Sequence, residues 1–88
     1  MQRKVVTGMD TRQAVAVRLI QLCGQYNISI NHLANTSGIP PSTLKSILYG
    51  RSQNPGVVTL KKLCDGLGIT LGEFFSTPEF DALEQEIK

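Results

Sequence analysis

No apolar run in these 88 residues is long enough to span a membrane. The opening MQRKVVTGMD is basic, but no apolar stretch follows it directly, which argues against a secretory signal. Cysteine is scarce. Cys23 and Cys64 lie far apart, match no metal spacing and no redox pair, and fall beside apolar positions of expected helices. They read as buried, reduced thiols, which fits a cytoplasmic protein. There is one histidine, His32, and the scattered acids and isolated cysteines assemble no nucleophile–base pair and no metal site. No catalytic residue, cofactor, metal or small-molecule ligand is expected. Alternating strand patterns, internal repeats and low-complexity tracts are also missing.

The most telling absence is that of acids. Between Thr11 and Cys64 there is none, while Arg12, Arg18, Lys45, Arg51, Lys61 and Lys62 supply positive charge. From Asp65 onward the balance inverts, with Glu73, Glu79, Asp81, Glu84 and Glu86 joining Asp65 against Lys88 alone. A basic body suits a polyanion, and an acidic tail is repelled by one. Ordinary solvated charge remains open on segregation alone.

What is present reads as helices. Hydrophobic residues make up 41% and charged residues 18%, enough for one all-α domain with one modest core. Asp10 can cap a first helix, with Gln13 reaching back in a capping box. Val15, Leu19, Leu22 and Tyr26 recur at helical spacing and mark its buried face, and Asn27 ends it. Ser29 caps a second helix that buries Leu33 and Ala34. Gly38 supplies a turn in the left-handed region, cheap only for glycine. Pro41 suits the first turn of a third helix, whose Leu44, Ile47 and Leu48 face inward. After the polar loop 50–56, a fourth helix buries Leu60, Leu63, Cys64 and Leu67 and stops at Gly68. Thr70 and Glu73 frame a short fifth helix, and Thr77 with Pro78 starts a last one.

Two short helices joined by a glycine turn, with small polar residues opening the second, is the layout of a helix-turn-helix. That device places a helix in the DNA major groove. The order RL…ISINHLA…SGIPPSTLKSILYG…NPGVVTLKKLCDGLGITLGEFF resembles the lambda-repressor-like (XRE-type) helix-turn-helix family. Arg18 and Leu19 meet its Arg-Leu pair, and Ile28, Ser29, Leu33 and Ala34 its second helix. Gly38 and Ile39 meet its turn, and Ser42, Thr43 and Leu44 its recognition helix. Gly50, Pro55, Thr59, Leu60, Leu63, Leu67, Gly68 and Leu71 complete the pattern, so the likeness runs over residues 18–75 without a gap. It implies a compact five-helix domain, placed here over residues 10–76; the residues themselves add a flexible arm (1–9) and a short amphipathic C-terminal helix (77–88). It also implies sequence-specific binding of double-stranded DNA as a transcriptional regulator, a repressor by preference.

Carried onto this chain, the resemblance assigns base contacts to Pro40, Pro41, Ser42, Thr43, Lys45 and Ser46. Serine and threonine pair with several bases, and proline rings can touch thymine methyls. For Ser42 and Thr43, simple capping of the helix front is the competing reading. Phosphate contacts fall to Ser29, Asn31, Tyr49, Arg51, Ser52, Gln53 and Asn54. Tyr49 can equally pack partly on the core, Arg18 can join an ion pair within the domain, and Lys61 and Lys62 form a solvated face. The family often places glutamine after the position of Ser29, and here Ile30 stands there. The recognition helix also lacks bidentate readers at its front, which shifts weight to shape readout.

Phe80, Leu83 and Ile87 recur at helical spacing among acids and are candidate dimerisation residues. Their helix is too short to stand alone, so it folds back onto Phe74 and Phe75 or pairs with a second copy. A homodimer on a near-palindromic operator is the favoured assembly. The alternative function is a helix-turn-helix protein-interaction module, antitoxin-like or regulator-binding, with weak or no DNA binding.

Overall fold

The computed structural model describes residues 10–50 and 54–87. Those residues are all-helical, in the order α1 (Thr11–Gln25), α2 (Ile30–Ser37), α3 (Pro41–Leu48), α4 (Val57–Leu67), α5 (Leu71–Phe75) and α6 (Pro78–Asp81). None of these helices is long and apolar enough to cross a membrane.

Local chemistry sets the boundaries. The Asp10 carboxylate accepts the Gln13 N–H at 2.8 Å, and the Gln13 amide oxygen accepts the Asp10 N–H at 3.0 Å, the capping box expected at α1. Ser29 accepts the His32 N–H at 3.1 Å and opens α2. Three helices then end in one way. At Asn27 (φ +54°), Gly38 (φ +73°) and Gly68 (φ +76°) the chain turns left-handed. The next residue, each time an isoleucine, donates its N–H to a carbonyl five residues back: Ile28 to Cys23, Ile39 to Ala34, Ile69 to Cys64. This is the Schellman closure, and its following apolar residue seals the helix end against the core. Ile39 and Ile69 are buried and Ile28 packs partly against the same cluster.

α2 packs on both α3 and α4, while α1 lies across α3 and touches α6. Leu33, Ala34, Leu44, Leu63, Cys64 and Phe74 lose all solvent exposure at the centre. Burial pushes the Cys23 and Cys64 thiols above the usual cysteine range, with the Asp65 charge adding to the rise at Cys64. Both stay protonated and unpaired. α2 and α4 approach closely where Gly66 faces Ser37: a Cβ on Gly66 would sit 2.2 Å from the Ser37 Oγ.

Two expectations are corrected. Tyr26 is 47% exposed, because it is the residue after the last full turn of α1 and Asn27 already redirects the chain. The helix expected over 77–88 is one turn, Pro78–Asp81. Past Phe80 the sequence offers too little apolar contact to propagate it. Leu83 is half-buried, Ile87 is 87% exposed, and no helix runs through Ala82–Ile87. Of the two fates open to this region, folding back is the one seen at Phe80. Its ring packs 4.9 Å from Phe75 and 6.1 Å from Phe74, centroid to centroid.

Candidate nucleic-acid interface

α3 is held from one side only. Leu44, Ile47 and Leu48 drive its inner face into the core. The helical period then leaves Pro40, Ser42, Thr43 and Lys45 in solvent, with Pro41 and Ser46 half-buried beside them. All six residues assigned to base contact thus belong to one projecting tip and its flank.

The capping alternative for Ser42 and Thr43 is not what the structure contains. Pro40 occupies the N-cap with extended backbone (φ −63°, ψ 140°), Pro41 follows at the first helical position, and no side chain caps α3. Neither hydroxyl makes a hydrogen bond among the described residues. Lys45 likewise has no acidic partner among them, the ion pairs there being Arg12–Asp10 at 3.9 Å and Lys61–Asp65. This patch is chemically unspent. The side-chain donors and acceptors of Ser42, Thr43 and Lys45 are available to an outside partner.

The flanking residues divide. Ser29 uses its oxygen as an acceptor for α2 and keeps its hydroxyl proton to donate. Asn31 is exposed, one position past Ile30, whose side chain packs against the core instead of facing a ligand. Tyr49 is 64% exposed at the end of α3. Asn54 is exposed at the far side of the loop. Arg51, Ser52 and Gln53 lie outside the described residues.

Two arginines behave in ways that spacing does not reveal. Arg18 forms no ion pair among the described residues. Its Nε donates to the Phe74 carbonyl at 2.8 Å and its Nη2 to the Glu73 carbonyl at 2.9 Å, tying α1 to the end of α5. A cation suits those carbonyls, which end a helix. Arg12 lies against the other end of the site. A Cβ on Gly50 (φ +84°) would be 3.2 Å from the Arg12 Nη1, so the guanidinium sits against the turn that carries α3 into the loop. The only hint in the sequence is a base in the first turn of α1 within an acid-free stretch. Among the described residues no cluster of His, Cys, Asp and Glu could hold a metal ion.

An all-helical scaffold with a buried-backed helix presented beyond a left-handed glycine turn defines a helix-turn-helix DNA-binding domain. Residues 18–79 match the family model for the Cro/C1-type HTH DNA-binding domain, and the chain belongs to that family. No curated protein matches it. Among solved structures, it is similar to the prophage Lp1 protein 11 at 35% identity and a TM-score of 0.74, over 83% of this chain and 97% of that one. It is similar to an HTH_3 family transcriptional regulator from Vibrio cholerae at 26% identity and a TM-score of 0.70, over 77% of this chain and 38% of that one. The restriction-modification controller protein C.AhdI from Aeromonas hydrophila is similar at 28% identity and a TM-score of 0.67, over 73% of this chain and 96% of that one.

Proposed function

We propose that this chain is a cytoplasmic, sequence-specific transcriptional repressor that binds a near-palindromic operator as a homodimer, with the front of α3 in the major groove. The observation that carries the reading is the tip of α3, where Ser42, Thr43 and Lys45 are exposed without an internal partner. Pro40, Pro41 and Ser46 complete the base-facing set. Ser29, Asn31, Tyr49, Arg51, Ser52, Gln53 and Asn54 hold the phosphates on either side and fix the register of α3 on the duplex. Because hydroxyls discriminate less sharply than bidentate arginine or asparagine, shape readout takes a large share of specificity. The similarity to a transcriptional regulator and to a restriction-modification controller supports this reading.

For the dimer, Leu83 and Ile87 are the contact residues, with Phe80 contributing what its cis packing leaves open. Dimerisation spaces two recognition helices about 34–36 Å apart, one turn of DNA.

Selection from a random double-stranded DNA library at two salt concentrations tests DNA binding, half-site spacing and specificity together. The expected outcome is a two-fold-related consensus with half-sites one turn apart and affinity that falls steeply with salt. A library that enriches no sequence at either salt concentration overturns the reading. The protein-interaction module then stands in its place.

A further inference from the structure

We propose that the acidic segment 82–87 competes with DNA from within the molecule, held by Glu86 across the first turn of α1. This rests on the DNA-binding reading above and adds a built-in brake to it.

Phe80 fixes where the segment begins, through its contacts with Phe74 and Phe75. The Leu83 N–H then bonds back to the Phe80 carbonyl at 3.4 Å and turns the chain out of α6. Three residues later the Glu86 Oε2 accepts a hydrogen bond from the Thr11 Oγ1 at 2.7 Å, joining residues 75 apart in sequence. Glu86 thereby lines the same surface hollow as Thr11, Arg12, Asn54 and Pro55. Asp10 lines this hollow too, 3.9 Å from Arg12, and the Glu86 carboxylate adds a second anion at its edge, beside Asn54 and Pro55 of the loop after α3. Arg12 also lies beside Gly50 at the near side of that loop. An anion there occupies electrostatic space that a DNA phosphate would otherwise take.

The contact is built to yield. Thr11 is half-buried, but Glu84 and Glu86 are exposed, and Ile87 buries almost nothing. Past Leu83 no buried apolar residue pins the segment to the body. A weak surface contact of this kind is displaced by a denser polyanion, and it is screened by salt.

Two substitutions separate the anchor from the charge. Thr11→Val removes the hydroxyl donor and leaves every charge in place. Glu86→Gln removes the charge but keeps an oxygen that can accept from Thr11. Glu79→Gln, in the first turn of α6, alters net charge equally and serves as control. Binding of the full chain to its selected DNA is read by fluorescence anisotropy at low and high salt. Thr11→Val and Glu86→Gln should each tighten binding about two- to fivefold at low salt, the scale of one exposed charge pair, and converge on the parent at high salt. Glu79→Gln should fall short of both. If Thr11→Val binds like the parent, or Glu79→Gln tightens binding as much as Glu86→Gln, bulk charge explains everything and the anchored brake is wrong. Failure of the parent and all variants to bind any DNA overturns the DNA-binding reading, and the brake with it.

Discussion

α1, α2, α5 and α6 each begin on a side-chain oxygen, from Asp10, Ser29, Thr70 and Thr77. α3 and α4 begin on Pro40 and Gly56, which have none to offer. The uncapped pair are the two helices joined by the loop assigned to phosphate contact. Elsewhere the chain satisfies its own helix fronts. Here it leaves backbone N–H groups and the positive end of the dipole facing outward, the arrangement an anion finds favourable. Capping thus separates the fronts of α3 and α4 from those of α1, α5 and α6, while the capped front of α2 keeps the Ser29 hydroxyl proton to donate.

The largest expected effect breaks the scaffold side of that contrast. Phe74 is fully buried between the capped α5 and the body. Phe74→Ala should cost about 3–5 kcal/mol, read as a fall in the denaturation midpoint. A cost below about 1 kcal/mol would mean that α5 is not part of the cooperative core. Next comes the clamp from α1. Arg18→Ala deletes two charge-assisted hydrogen bonds to the end of α5, and a loss of about 1.5–3 kcal/mol should follow. Arg18→Lys, which cannot reproduce the fork, should recover only part of it.

A smaller effect tests the caps themselves. Asp10→Ala should cost about 1 kcal/mol, since it removes a reciprocal capping box from the longest helix. Ser42→Ala, at an uncapped front, should change stability by less than about 0.5 kcal/mol. Its signature should be an altered base preference in a DNA selection, with Thr43→Ala acting alike. Unchanged preference in both would remove them from the base-facing set. A stability loss equal to that of Asp10→Ala would show that the hydroxyl closes α3 after all.

Much of this scaffold is legible in the chain. Apolar spacing locates the inner faces of α2, α3 and α4, and both capping boxes follow from residues three apart. The left-handed stops at Gly38 and Gly68 are equally readable. What escapes depends on pairing across distance. Tyr26 falls on the apolar period of α1 but just past its end, where the period no longer applies. Gly66 sits inside α4, where glycine is unfavourable by roughly 1 kcal/mol relative to alanine. That was a signal of close approach, but only the fold reveals Ser37 as the neighbour. The same holds for Arg12 against Gly50 and for Glu86 on Thr11. The outward tip of α3 was foreseeable from its inner face. The freedom of its side chains from internal hydrogen bonds was not, because serine and threonine at a helix front serve capping equally well.

Left-handed glycines stand on both sides of α3, at Gly38 and at Gly50. They make the intervening stretch an exchangeable part. On the proposed DNA-binding reading, new letters at positions 40, 42, 43 and 45 would rewrite what the molecule reads, while the hydrophobic seat beneath and the left-handed turns at either end stay as they are. A lineage under pressure to change its target thus has few positions to alter and little stability to lose in altering them.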